Sequence, residues 1–558
     1  MAISFQGIGT GVQTDQLVAA ILAQEGQSVQ RMVDKQAFNK MRTTALQSFR
    51  KGMDDLSTSL AAIQDRLNAR TVTSTDTNSV YVSATASGAA AGNYDLNVAQ
   101  VATRGRVVVD GVADPASTST FDLANSSFAV QGTDGVTKTF TLTNYSLNGL
   151  RDAINASGAG VTAAIVNTGT GATPYQLVLS AKDTGTGTTT GLVSLASIDL
   201  ADPTTTKTTD APLGIKAGAI TGTFAEPTGI SGGLTNSLDL AKDAIFTLNG
   251  IQLTRKTNVV TDAADGITFT LKQGGQTGTT TLTVAQDKTI ATSGLQDVIA
   301  KFNALKKIYK DASTSLKSSD GAIIKAPLAG DETVRSFLAQ IQSALTGQLS
   351  GPSGGTTITS AASLGVSTGA DGNLSLNVST FQAALEKDPK AVQNLFTFNG
   401  SSSSGAVTLK ESTSKTSTGA VTFNITSYVS GGAVAGTLTY GGTEYSLTGT
   451  NGTLTGEAGT PLEGLTISVL GTGTGTLNLT RGGGQAARDL VAQFTSPGVG
   501  GIQAALTNIE NQNKALSEQV IQGQARLARR KIVLVAKFSK METAVAQMKA
   551  AVGGLSGL

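Results

Sequence analysis

The residues that come first to mind for chemistry are glycines and carboxylates. Gly7, Gly9 and Gly11 spell G-x-G-x-G just before the helical run "TDQLVAAILAQE". A glycine-rich turn feeding a helix N-terminus is a common phosphate cradle. The dinucleotide fingerprint needs G-x-G-x-x-G after a strand, whereas position 12 is Val and no strand pattern precedes Gly7. A P-loop needs Lys directly after its last Gly, and the first Lys here is Lys35. The glycines therefore read as a flexible leader, with Thr14 as N-cap and Asp15 complementing the helix dipole.

Three groups of acids could do acid/base or metal work: Asp54 with Asp55, Asp331 with Glu332, and Asp262 with Asp265. Their plainer readings are a solvated helix face, an N-cap with its first turn, and a turn before "GITFTLK". The chain holds no His and no Cys. Ser-His-Asp, Cys-His and His-based zinc chemistry are thereby excluded, and only carboxylate or lysine catalysis remains open. The expectation is a non-enzymatic protein without cofactor or metal. The 41 basic and 39 acidic residues balance to +2, so no global field recruits nucleic acid or an anionic membrane. One basic cluster, "ARLARRKIVLVAKFSK" (Ala525 to Lys540), reads as a solvated helix face rather than a membrane or nucleic-acid site.

The elements that carry these residues change twice along 558 residues, enough chain for several cores. Residues 14 to 70 are helix-forming. Leu46, Phe49, Met53, Leu56, Leu60, Ile63 and Leu67 step by 3,4,3,4,3,4, a strict a/d seam. Leu17, Ile21, Leu22, Val29, Met32 and Val33 are apolar-periodic without a single register. At the other end Leu506, Ile509, Leu516, Val520 and Leu527 mark one seam, and Phe538, Met541, Val545, Met548 and Val552 another. Each seam has two readings, packing inside one chain or a face left for another subunit. Helices at both termini can pair and loop the middle out as a head.

The middle alternates as strands do, from "VYVSATA" to "TTLTVA", with "AIFTLNGIQLTR" a hairpin signal around Asn249-Gly250. Helical patterns return at Leu295, Val298, Phe302, Leu305 and Tyr309, at 333–349 and at 378–397. A second β block spans 402–482, with "LTYGGTEYSL" a hairpin around Gly441-Gly442. The expected class is α+β and multidomain, a long helical or coiled-coil stalk from both termini carrying inserted β-rich heads. The expected divisions are a flexible leg helix at 1–42, a stalk helix at 43–72, and a β head at 73–288 with an inner part near 110–240. A helical stalk domain at 289–400, a β insertion at 401–483 and C-terminal stalk and leg helices at 484–558 follow. The first basic residue is Arg31 and "LVAAILA" is far short of a membrane span, so no secretory leader or membrane anchor is expected. These rules leave the chain in the cytoplasm unless an export route reads an uncleaved N-terminus.

Several stretches in order resemble the hook-associated protein 2 family of bacterial flagellar filament caps. They are "FQGIGTGVQTDQLVAAILAQE", "GNYDLNVAQVATRGRV", "SLNGLRDAINASGAGVTAAIVNTGTGATPYQLVLSAKDTG", "AIFTLNGIQLTRKTNVVTDAADGITFTL", "LAGDETVRSFLAQI", and then "LGVSTGADGNLSLN" with "FQAALEKDPKAVQNLF". The likeness spares 402 to about 460. It implies export through the flagellar type III channel and a ring of four to six subunits at the filament tip. It further implies folding and insertion of flagellin beneath the ring, contact with the hook–filament junction protein, and an export chaperone on the C-terminal helix. Carried onto this chain, Ile8, Leu17, Val18, Ile21 and Leu22 are expected at the filament contact. Phe538, Met541, Val545 and Met548 are expected at a C-terminal leg or chaperone contact. The alternatives are a flagellin or junction protein, or an adhesin whose Thr/Gly-rich blocks bind host glycan or mucin. A carboxylate hydrolase on a flagellar stalk is the remaining reading.

Overall fold

The computed structural model describes residues 13–118, 126–187, 193–199, 209–210, 215–216, 219–223, 226–231, 237–317, 323–352, 357–497 and 500–555. The helices among them are α1 (Thr14–Asn68), α2 (Leu147–Ala156), α3 (Lys288–Ser313), α4 (Glu332–Thr346), α5 (Val378–Lys387), α6 (Pro389–Asn394), α7 (Gly483–Thr495) and α8 (Gly501–Leu555). With antiparallel sheets between them, the chain is α+β, as its alternating patterns imply. It forms two units, Met1–Leu67 with Lys288–Leu558, and Asn68–Asp287.

In the first unit the strict seam of α1 becomes core. Leu46, Phe49, Met53, Leu56, Leu60, Ile63 and Leu67 are all buried. They meet Leu295, Val298, Phe302 and Leu305 of α3, Val334, Phe337, Leu338 and Ile341 of α4, Val491 of α7, and Ile502 and Ile509 of α8. Phe337 stands edge-on to Phe49, with ring centroids 5.9 Å apart, and 4.6 Å from the Phe494 ring. Fully burying each large side chain contributes about 1.5–3 kcal/mol, so this cluster dominates the unit. Of the two readings of this seam, packing within the chain is the one realised. Close passage of α1 and α3 needs glycines. A Cβ on Gly52 would lie 2.9 Å from Leu305 Cδ1, and one on Gly294 would lie 2.7 Å from Arg66 Cδ.

Several expected boundaries shift for local reasons. No helix break separates a 1–42 leg from a 43–72 stalk, because α1 is continuous from Thr14; it then stops at Asn68, ahead of a strand at Arg70–Ser74. The helical pattern at 378–397 is two helices. Asp388 accepts a hydrogen bond from the Ala391 backbone N–H at 2.9 Å, and Pro389 takes the first helical position. The expected insertion at 401–483 is a β block spanning Phe398–Arg481 and belongs to the helical unit. Its first strand, Phe398–Ser402, pairs with its last, Gly473–Arg481. Five strands and a second sheet of three close over Val421, Phe423, Ile425, Leu438, Ile467 and Leu477. Arg481 ties the block down. Its guanidinium lies 5.3 Å from the Phe398 ring centroid, donates to the Thr413 and Thr416 carbonyls at 3.0 and 2.8 Å, and sits 3.5 Å from Asp489 of α7.

The second unit holds two cores. One lies between a five-stranded and a three-stranded sheet around Leu96, Val98, Phe246, Phe269 and Leu282. Its hairpin Ala244–Leu248/Ile251–Arg255 turns at Asn249 and Gly250, with φ of 50° and 81°, the left-handed pair a two-residue turn requires. The inner core packs α2 beside Phe128, Leu177 and Leu179, with strands from Arg106 to Asp239, close to the expected 110–240.

Phe337→Ala removes the ring shared by α1, α4 and α7. It should lower the unfolding free energy of the helical unit by about 3–5 kcal/mol, read by chemical denaturation. A change below about 1 kcal/mol contradicts the central place given to this ring.

Candidate functional site

The long helices α1 and α8 pair with each other. α1 and α8 run antiparallel. Arg50 meets Gln503 (3.0 Å), Asn39 meets Asn513 (2.9 Å) and Glu25 meets Arg530 (3.2 Å). Between these, a Cβ on Gly523 would lie 2.6 Å from Val29 Cγ2, and one on Gly26 would lie 3.6 Å from Leu527 Cδ1. Facing positions fall on α1 as they rise on α8, which sets Val18 opposite Leu534; both are buried.

This pairing reveals a register in α1 that apolar counting does not find. Val18, Leu22, Glu25, Val29, Met32, Gln36 and Asn39 step by 4,3,4,3,4,3. Three of the seven are polar. Asn39, only 4% exposed, is satisfied by Asn513, the arrangement by which a polar seam position fixes the register of a helix pair. On α8 the two expected seams are one, running from Leu516 and Val520 through Gly523 and Leu527 to Leu534 and Phe538. Leu534 was legible by its seven-residue step from Leu527. Gly523 and Asn513 carried no hydrophobic signal.

The residues expected at the filament contact separate. Ile8 lies outside the described residues, as do the glycines Gly7, Gly9 and Gly11. Val18 is buried in the seam, Ile21 and Leu22 are half-buried, and Leu17 is 43% exposed. On α8, Phe538 is half-buried at the level of Thr14. Past that level Val545 is half-buried, and Met541 and Met548 are exposed. The pair thus ends in a run of α8 that shows large apolar side chains to solvent. The basic side chains within 525–540 are exposed, and Arg530 meets Glu25.

The acids serve structure. Asp331 caps α4, accepting from the Val334 backbone N–H at 3.2 Å, and also receives Arg42 Nη2 at 2.8 Å. Asp55 pairs with Lys51. Asp262 is held below the ordinary carboxylate range by hydrogen bonds from Arg255, and Glu463 by Lys415 and the Gly459 N–H. Hydrogen bonding to the charged form favours ionisation, the reverse of what a proton-donating carboxyl needs. Among the described residues no three acids gather into a metal-holding group, and no helix is long and apolar enough to cross a membrane.

Family models of the flagellar hook-associated protein 2 C-terminus and N-terminus match residues 241–550 and 10–105. The C-terminal match runs through 402–460, which the resemblance read from motifs leaves out, and neither match includes 106–240. The B-type flagellar hook-associated protein 2 of Pseudomonas aeruginosa (strain PAO1) is 27% identical over 407 residues, 70% of this chain and 80% of that one. The flagellar hook-associated protein 2 of Escherichia coli (strain K12) is 27% identical over 417 residues, 72% of this chain and 81% of that one. A solved structure of the D1-D2-D3 domains of the flagellar cap protein FliD from Escherichia coli covers 63% of this chain and 90% of its own. It is 26% identical, with a TM-score of 0.48.

Asn39→Ala leaves the Asn513 amide without its partner. It should destabilise the helix pair by about 1–3 kcal/mol, while Asn39→Leu with Asn513→Leu should stabilise it and loosen its register. Hydrogen exchange across 14–45 and 505–540 measures both, and equal protection in all three proteins refutes the register role. With no His, nothing of that type titrates between about pH 5 and 8. Asp262 and Glu463 have lowered folded values, so their contribution is present above the unfolded carboxylate range and lost as pH falls through the folded one. Calorimetry should therefore show a flat Tm from about pH 8 to 6 and a modest fall below about pH 4; a rise on acidification contradicts this.

Proposed function

The chain belongs to the flagellar hook-associated protein 2 family, and from that membership and the geometry of its paired ends we propose that it is a filament cap. It acts at the filament tip as a ring of four to six copies, retains exported flagellin, and promotes its folding and insertion without catalysing a reaction. Flagellin, the hook–filament junction protein and an export chaperone are its partners, and the flagellar type III channel is its route out. The observation that carries the reading is the α1–α8 pair. Two long helices drawn from opposite ends of one chain close on each other and leave Leu17, Met541 and Met548 exposed near their far end. A slender pair with a partly apolar tip suits a leg that rebinds successive sites on a growing filament, since a small apolar contact keeps each site releasable. Cysteine is absent, so no disulfide cross-links a chain that travels through a narrow channel unfolded.

Deleting the gene should leave cells with short or absent filaments and unpolymerised flagellin in the medium, restored by the wild-type gene. Full-length filaments on the deletion strain overturn the reading. In complementation, Leu17→Asp combined with Met541→Asp and Met548→Asp should abolish filament growth. Secreted protein of undiminished helicity by circular dichroism shows that these exposed sites were not needed for folding. Normal filaments from that variant remove the tip contact.

A further inference from the structure

The β block at Phe398–Arg481 is charged toward one end only. Its base, where Phe398 lies opposite Arg481, carries the Lys415–Glu463 pair and Arg481 itself. At the opposite end the strand registers bring four loops together, 404–406, 429–433, 450–452 and 470–472. None of their fourteen residues is charged, although the block holds three basic and four acidic residues. Backbone hydrogen bonds join the loops into one platform. The Gly452 N–H donates to the Gly432 carbonyl at 3.0 Å, the Val469 N–H to that of Gly452 at 2.7 Å, and the Leu470 N–H to that of Ala406 at 2.8 Å. Gly431, Asn451 and Gly452 take φ of 66°, 53° and 67°, the left-handed values that such tight turns need.

Two large aliphatic side chains stand out of this platform. Val429 is 56% exposed and Leu470 58%. Ala433, whose carbonyl receives the Val429 N–H, is exposed, and Tyr428 at the rim is half-buried. The other loop residues are Ser, Thr, Asn and Gly, with Ala406. The platform is small for a protein partner or a second copy, since a standard interface takes about 20–30 residues a side against the fourteen here. A lipid surface needs no matching shape. Aliphatic side chains enter its acyl boundary, hydroxyl and backbone groups stay hydrated among the headgroups, and a rim Tyr suits the level between. The missing charge sets the kind of lipid. Nothing on the platform draws it to anionic headgroups, and nothing charged has to be dehydrated on contact.

We propose that this platform is a lipid-contact site, placing Val429 and Leu470 in the headgroup–acyl boundary of a zwitterionic bilayer. The contact is reversible, because two aliphatic side chains anchor far less than a membrane span or a pair of lipid chains. It is insensitive to salt, because no ion pair contributes to it. It goes beyond the cap reading and does not depend on it.

The test floats the full-length protein with vesicles of phosphatidylcholine, pure or mixed with anionic phosphatidylglycerol, at low and high salt. Binding should agree within about twofold across all four conditions. Val429→Ser with Leu470→Ser should lower the partition coefficient more than about tenfold while leaving thermal unfolding unchanged. The chain has no Trp, so Leu470→Trp supplies a single fluorescent reporter at the platform. Its emission should shift to the blue when phosphatidylcholine vesicles are added. An unshifted emission, no flotation on pure phosphatidylcholine, flotation on anionic vesicles alone, or undiminished flotation of the double Ser variant overturns the proposal. Sedimentation showing self-association that the double Ser variant loses also overturns it, since a second copy then covers the platform. Filament growth enters none of these readouts, so the lipid contact and the cap reading fail separately.

Discussion

The helical unit depends on a meeting between residues that stand hundreds of positions apart. α1 cannot bury Val18, Val29 or Asn39 without α8, and α8 cannot bury Leu516, Val520 or Leu534 without α1. Everything between them is a loop to be closed. The entropy of closing it grows only with the logarithm of its length, so large β insertions are thermodynamically tolerable. Kinetically the same topology is demanding, because contacts of such sequence separation form late. The aromatic cluster of Phe49, Phe337 and Phe494 brings early, middle and late segments of the chain into contact.

How much of this could be read from residues alone follows from which interactions leave an apolar trace. The seam from Leu46 to Leu67 is strictly periodic because it is buried under several helices, and it is plain in the sequence. The outer part of α1 is buried on one side only. There Glu25, Gln36 and Asn39 occupy seam positions, and two successive steps of three, from Thr43 through Leu46 to Phe49, shift the phase. A count of hydrophobic residues sees disorder where a polar-interrupted register exists.

Backbone punctuation was more transparent than side-chain packing. Asn249-Gly250 and Gly441-Gly442 each take the positive φ pair that two-residue hairpins require, and both hairpins form in the register their flanks imply. Asp331 caps its helix as its neighbours suggest. Asp388-Pro389, read through as helix, instead ends one helix and starts the next, because the residue before proline avoids the helical region. Of the carboxylates that looked available for chemistry, Asp331 caps a helix while Asp55 and Asp262 pair with Lys51 and Arg255.

The β block at Phe398–Arg481 begins and ends on neighbouring strands, with Phe398 opposite Arg481 and Ser402 opposite Leu477. Its entry and exit are therefore separated by a single strand spacing, about 4.8 Å. A segment mounted in this way behaves as a cassette: whatever lies beyond Ser402 and Leu477 can lengthen, shrink or be exchanged without altering the distance the helices must span. It also offers a defined position at which a foreign epitope or a reporter domain can be carried.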